Sequence, residues 1–244
     1  MFKSKKILAI IGARKGSKGL PNKNRINFLG YPLIMWTIQA ARGTAYVDRI
    51  IVSTDCERIK KISENTGADV PFLRPKQLSQ DNSNINNVIT HCLSWLRKNE
   101  KAVYDYILLL QPTSPFRTHG HIDDAIEFYF KKKLSKEDTL ISVRPVSQKM
   151  GYLMKVKGDN YIERCLSFNK NVVNRQDLGR YFLPNGAIFF APVPTFLKQK
   201  TFYTSKTLFF PMTEIASIDI DSMADLKRAL KFHKDKKSYL CGDV

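Results

Sequence analysis

Apolar and polar positions alternate in two rhythms along most of the chain. Short continuous apolar runs, such as Ile7 to Ile11, Ile50-Ile51-Val52 and Ile107 to Leu110, have the character of strands buried on both faces. Between them, apolar residues recur at helical spacing. Pro32 to Arg42 has a proline near its start and Gly43 at its end. Cys56 to Thr66 is stopped by Gly67, with Asp55 or Thr54 expected to cap it. Similar patterns run from about Ile85 to Lys98 and from Ile122 to Lys133. Strand, helix, strand, helix is the rhythm of a parallel sheet whose ligands bind at the strands' carboxyl ends.

Thr139 to Arg144 and Asn185 to Ala191 read as further strands, and Met223 to about His233 as a last helix. From Pro145 to about Pro184 the rhythm breaks, with glycines, asparagines and aromatics in no clean alternation. This stretch reads as an insertion, a β-rich arm or subunit contact. The expectation is one α/β domain over residues 1–244 with about 145–184 inserted in it.

The first strand runs directly into Gly12-Ala13-Arg14-Lys15-Gly16-Ser17-Lys18-Gly19-Leu20-Pro21-Asn22-Lys23-Asn24. Glycines allow close backbone approach, successive N–H groups make an anion-binding concavity, and Arg14, Lys15, Lys18 and Lys23 surround it with positive charge. A polyphosphate is the simplest ligand. The spacing fits neither Gly-x-x-x-x-Gly-Lys-Ser/Thr nor Gly-x-Gly-x-x-Gly, so the two common phosphate loops are excluded. Later in the chain, Gln111-Pro112-Thr113-Ser114-Pro115 is a loop braced by two prolines, which holds polar residues in place at low entropic cost.

The net charge of +18 raises nucleic acid as a partner. However, the cations are spread, and many lie in lysine-rich helical stretches that suit solvated faces. No apolar run approaches a membrane span, and no signal-peptide pattern precedes the first strand, so a cytoplasmic protein is expected. Cys56, Cys92, Cys165 and Cys241 lie far apart and read as reduced thiols. His119 and His121 lack partners at zinc-ligand spacing and fit a helix start better.

Asp219 and Asp221 are separated by one residue, and in a strand both carboxylates would share a face. Such a pair either seats Mg²⁺, a hard cation that takes oxygen ligands, or caps the following helix in solvent. Asp225 fits the first turn of that helix.

Ala13-Arg14, Gly16 to Pro21 and Lys23-Asn24 resemble the signature loop of the CMP-sialic acid synthetases, the acylneuraminate cytidylyltransferases. Further blocks agree in order: Ile51 to Asp55, Leu73-Arg74-Pro75, Leu110 to Arg117, Pro184 to Ile188 and Ser217 to Asp221. The resemblance implies a Rossmann-like nucleotidyltransferase α/β/α sandwich with a mainly parallel sheet and an inserted dimerisation arm, working as a homodimer. It implies transfer of CMP from CTP to a nine-carbon nonulosonic acid, with Mg²⁺ and release of pyrophosphate. Arg14, Ser17, Lys18, Lys23, Asn24, Arg74 and Gln111 would bind the nucleotide, and Asp219 and Asp221 the metal. Gln111, Arg175 and Asn185 would face the sugar, with Arg175 on its carboxylate. Arg14, Lys23, Gln111 and Asp221 would be the catalytic set. The chain departs from the family at Leu183, where some members carry arginine, and matches it only loosely over Asp81 to Ile85. Two alternatives stand beside this reading: activation of another acid such as the eight-carbon Kdo, or a basic nucleic-acid-binding protein.

Overall fold

The computed structural model of the chain describes residues 4–16, 19–133, 135–147, 150, 153–157, 161–165 and 180–240. In chain order the elements are β1 (Ile7–Gly12), β2 (Asn27–Phe28), β3 (Tyr31–Pro32), α1 (Leu33–Gly43), β4 (Arg49–Ser53), α2 (Glu57–Asn65), α3 (Ile85–Asn99) and β5 (Tyr106–Leu110). There follow α4 (His119–Lys132), β6 (Thr139–Pro145), β7 (Met154–Lys157), β8 (Tyr161–Arg164), β9 (Phe182–Pro192), α5 (Val193–Gln199), β10 (Thr207–Pro211) and α6 (Met223–Leu240).

One six-stranded sheet has the order β10-β6-β9-β5-β1-β4. All its strands run parallel except β9, which is antiparallel to both β5 and β6. Alternation along β1 explains the layers. Ile7, Ala9 and Ile11 pack with Ile34 and Ile38 of α1, Ile59 of α2 and Ile126 of α4. Leu8 and Ile10 pack on the other face with Val88, Ile89 and Leu96 of α3 and Phe196 of α5. Helices therefore cover both faces, which gives the expected α/β/α sandwich and accounts for strands apolar on both sides.

A third cluster positions the site. Leu20 from the loop after β1 packs with Ile218, Ile220 and Leu226, and with Phe28 and Leu33. This apolar knot brings the glycine-rich loop and the Asp219–Asp221 segment together although about 200 residues separate them.

The structure differs from the sequence-based expectation in three places. Residues 217–222 are not a strand: Ile218 and Ile220 do alternate inward, but the segment is an extended loop whose Ile220 N–H bonds the Thr113 carbonyl at 2.9 Å. A single bond of that kind ties it to the turn after β5 without forming a ladder. Neither Thr54 nor Asp55 is the N-cap of α2; that position is Cys56, and Asp55 accepts from the Lys15 N–H at 2.7 Å instead. The strand β10 and the helix α5 leave little signal in the sequence, since β10 alternates weakly and α5 has seven residues. Within the irregular stretch, β7 and β8 form an antiparallel hairpin closed by a Lys155–Glu163 ion pair at 2.9 Å. His119 and His121 open α4, where His121 and Thr118 form a capping box.

Candidate active site

A cavity of about 410 Å³ opens at the carboxyl ends of β1 and β5, lined by Gly12, Arg14, Gly19, Lys23, Asn24, Ile85, Gln111, Thr113 and Asp221 among others. This is the position where parallel α/β sheets bind ligands, and the volume suits a small molecule.

The loop after β1 is pinned from several sides. Its Ala13 N–H donates to the Ser53 carbonyl at 2.9 Å, continuing the β1–β4 ladder, and Asp55 holds Lys15 N. Buried Asn24 donates its amide to the Arg14 carbonyl at 3.0 Å. A Cβ on Gly19 would lie 2.5 Å from the Asp221 carbonyl oxygen, so only glycine allows this approach. Among the described residues, the two cations lining the cavity meet carboxylates: Arg14 pairs with Asp81 at 2.7 Å, and Lys23 with Asp221. An anionic ligand would compete for the same two cations. Ser17, Lys18, Arg175 and Cys241 lie outside the described residues.

Asp219 and Asp221 occupy different surroundings. Asp221 is well exposed and reaches Lys23. Asp219 is half-buried; burial raises its carboxyl above the ordinary range, opposed by a hydrogen bond with Thr113 and reinforced by the nearby Asp221. Its Oδ1 is buried and has no hydrogen-bond partner among the described residues. An orphaned carboxylate oxygen beside a second carboxylate is an all-oxygen donor set that fits a hard divalent cation. Among the described residues no group of three or more His, Cys, Asp or Glu gathers to hold a metal, at this site or any other. Mg²⁺ needs no more than one or two carboxylates when phosphates complete its shell.

Gln111 follows β5 and faces β9 across the cavity wall. Gly186 in β9 has φ +73°, and a Cβ there would come 2.2 Å from Gln111 Oε1. The glycine is thus required both by its backbone and by the glutamine side chain. Arg117 fixes the same corner: fully buried, it donates to the carbonyls of Gln111 (3.1 Å) and Ala187 (2.9 Å) and to Thr37 Oγ1 (2.6 Å). Burial pulls its guanidinium down to about 9. In the sequence, only its place after the proline-braced turn marks Arg117.

Asn185 is buried, and its amide is engaged on both ends. Its Oδ1 accepts from Ser142 Oγ (2.5 Å) and Ala187 N (3.1 Å), and its Nδ2 donates to Ser217 Oγ (2.8 Å). Ser142 lies where the β6–β9 register shifts, and its hydroxyl accepts from the Ile188 N–H at 2.7 Å. This chain of bonds joins β6, β9 and the segment that carries Asp219. Arg74 is buried behind Gly12, donating from Nε to Ser53 Oγ at 3.0 Å and from its terminal nitrogen to the Ser53 carbonyl. Burial lowers its guanidinium, and a Cβ on Gly12 would come 3.5 Å from it. Behind it, burial pushes the Cys92 thiol up to about 12 and holds the His91 imidazole below its ordinary value. Neither is a ready nucleophile or base, and neither lines the cavity.

A cytidylyltransferase family model matches residues 8–240, nearly the whole chain. The chain belongs to that family. Among its relatives, an N-acylneuraminate cytidylyltransferase of Escherichia coli is 36% identical over 95% of this chain, which spans about half (53%) of that protein. A CMP-N,N'-diacetyllegionaminic acid synthase of Legionella pneumophila is 34% identical over 90% of this chain and 93% of its own length. In fold, this family member is similar to a CMP:2-keto-3-deoxy-manno-octonic acid synthetase solved with CTP, with TM-score 0.70, 16% identity, and coverage of 95% of this chain and 99% of the other. That likeness is one of architecture. No described helix is long and apolar enough to cross a membrane.

Proposed function

We propose that this chain transfers CMP from CTP to a nonulosonic acid, a nine-carbon 2-keto sugar acid, releasing pyrophosphate. The observation that carries this reading is the convergence of Arg14, Lys23, Gln111 and Asp221 on one cavity at the ends of β1 and β5. Arg14 and Lys23 are placed to take the triphosphate, with Ser17 and Lys18 joining them by resemblance. Asn24 positions the loop through the Arg14 carbonyl. Arg74 supports the nucleotide wall from behind Gly12. Asp219 and Asp221 would hold Mg²⁺, which neutralises phosphate charge and polarises oxygen when bound.

In the reaction, the anomeric hydroxyl oxygen bonds to the α-phosphorus while the α–β anhydride bond breaks. Pyrophosphate leaves with the electron pair, and the hydroxyl proton passes to solvent. The protein's part is positioning and charge stabilisation, with no covalent nucleophile needed. Lys23 and Arg14 stand where the departing phosphates gain charge, and Gln111 lies between nucleotide and acceptor. Asn185 supports the acceptor side through Ser142 and Ser217, and Arg175 would reach the sugar carboxylate by resemblance. By the same resemblance the 145–184 insertion serves a homodimer, and a CTP-using enzyme belongs in the cytoplasm.

A phosphate-backbone binder has no use for carboxylates at its cation site, which disfavours nucleic acid. The test is pyrophosphate release with CTP, Mg²⁺ and a panel of nonulosonic acids and Kdo. Turnover with a nine-carbon acid is expected. Silence with the whole panel would overturn the reading, and turnover with Kdo alone would replace the acceptor.

A further inference from the structure

The β5–β9 ladder stops where the cavity begins. Its antiparallel register runs from Tyr106 opposite Pro192 to Leu109 opposite Phe189, and two residues further along it would bring Gln111 opposite Ala187. That pair is not formed. On its other edge β9 slips against β6 between Ile141 and Val143, and Gly186 turns to φ +73°. β9 is thus released from both neighbours in one place, and the sheet opens beside Gln111. The opening frees buried backbone groups that must find other partners. Side chains meet them. Asn185 Oδ1 accepts from the Ala187 N–H and Ser142 Oγ from the Ile188 N–H. The carbonyls of Gln111 and Ala187 share one donor, Arg117 Nη1, at 3.1 and 2.9 Å.

One nitrogen therefore stands where a strand pair would have closed. A further bond, from Nη2 to Thr37 Oγ1 of α1 at 2.6 Å, fixes the guanidinium plane, and that hydroxyl donates to the Gln111 carbonyl at 3.3 Å. Arg117 is 2% exposed, and among the described residues no carboxylate pairs with it and its Nε has no partner. A buried cation without a counter-ion is costly, and an apolar residue would serve packing better. What an apolar residue cannot do is hold two carbonyls at a set separation, which the rigid guanidinium does. The consequence falls on the Gln111 side chain. Its Oε1 lies 2.2 Å from where a Cβ on Gly186 would stand, so the width of the opening decides where that side chain can sit.

We propose that Arg117 is a positioning residue for the transfer: by bridging the Gln111 and Ala187 carbonyls it holds β5 and β9 apart at the cavity wall and so sets the place of the Gln111 side chain. The assignment rests on the cytidylyl-transfer reading above, in which Gln111 lies between nucleotide and acceptor. Arg117 does not line the cavity, and it acts on the reaction through Gln111, which does.

The experiment is a double-mutant cycle in the full chain. It measures kcat, KM for CTP, KM for the acid and chemical denaturation for Arg117→Lys and Thr37→Val, each alone and combined with Gln111→Ala. Gln111→Asn serves as the background should the alanine leave too little rate. Thr37→Val, which removes only the α1 anchor, serves should Arg117→Lys fail to fold. Arg117→Lys is expected to lower kcat about tenfold or more, the scale of a small misplacement at the reacting groups, with KM for CTP within about twofold. Thr37→Val should lower kcat about threefold by the same route. In the Gln111→Ala background both changes should alter kcat by less than about twofold, although their cost in stability persists. A purely structural residue would show no such dependence on Gln111. An unchanged kcat in folded Arg117→Lys, or in Thr37→Val where the lysine variant does not fold, would overturn the assignment. So would an equal fall in kcat in both backgrounds, or full activity of Gln111→Ala, which would leave nothing to position. No turnover by the unaltered protein with any acid would overturn the parent reading and this assignment together, a result distinct from each of those.

Discussion

The two halves of the sheet present their functional groups in different ways. On the β5–β1–β4 side the strands are parallel and the site is shaped by backbone: a loop leaving β1 and a turn leaving β5, close-packed at Gly12 and Gly19, present Arg14, Lys23 and Gln111. On the β9–β6–β10 side one strand is reversed, and the site is a side-chain network in which Ser142, Asn185 and Ser217 come from three remote segments. The first plan suits a ligand of fixed shape such as a nucleoside triphosphate. The second can be altered one side chain at a time, which would suit acceptor choice in the proposed reaction.

The strongest test of this division is at Asp221, where the segment after β10 meets Lys23 of the loop after β1. Asp221→Asn should lower the rate of pyrophosphate release about 100-fold or more while leaving the thermal melt nearly unchanged, because the side chain is exposed. A rate within about threefold of the unaltered protein would remove Asp221 from the chemistry and leave the two halves without a functional link there.

The next test asks whether the halves are coupled through their backbones. Gly186→Ala puts a side chain on a residue at φ +73° and drives a Cβ into Gln111. A fall in rate of about tenfold or more, with about 1–2 kcal/mol lost in chemical denaturation, is expected. Lost stability with full activity would mean that Gln111 can leave its place without consequence.

What was legible in the sequence follows the same division. β1, β4 and β5 were readable because burial on both faces makes them uninterrupted apolar runs, and the loop after β1 declares itself by its glycines and cations. The Asp219–Asp221 alternation was also legible, since Ile218 and Ile220 point into the core; what was misread was the ladder, because an extended loop shares the period of a strand. Arg117, Asn185 and Ser142 were opaque as a set. Their roles depend on which carbonyl or hydroxyl stands nearby, and no local pattern encodes a partner 43 or 70 residues away. Asp55 shows the limit from the other side: local rules made it a helix cap, while the tertiary structure uses it on Lys15 N.

A finer probe of the nucleotide half is Asp81→Asn. Its pair with Arg14 is half-exposed, so removing it should free the guanidinium at modest gain, lowering KM for CTP about twofold to fivefold with KM for the acid unchanged. A rise in KM for CTP would show that Asp81 holds Arg14 in its working position.

The smallest effect expected belongs to the acceptor half, at the head of α6. Asp225 accepts from Ser222 Oγ and from the N–H groups of Ser222 and Asp221, and these bonds, the Ser222 hydroxyl foremost, hold its carboxyl below the ordinary range. A depressed folded value means that the unfolded chain binds the proton first as pH falls. The stabilisation is therefore complete above the unfolded value of about 4 and is lost as pH drops through the folded value beneath it. Asp225→Asn should lower stability by about 1 kcal/mol at pH 7, the usual worth of a helix cap, and the difference should shrink below about pH 4. Melts across that range measure it, and a deficit that stayed constant with pH would mean that the cap works through shape and hydrogen bonding alone, leaving the charge of Asp225 with no part in holding the Asp219–Asp221 segment.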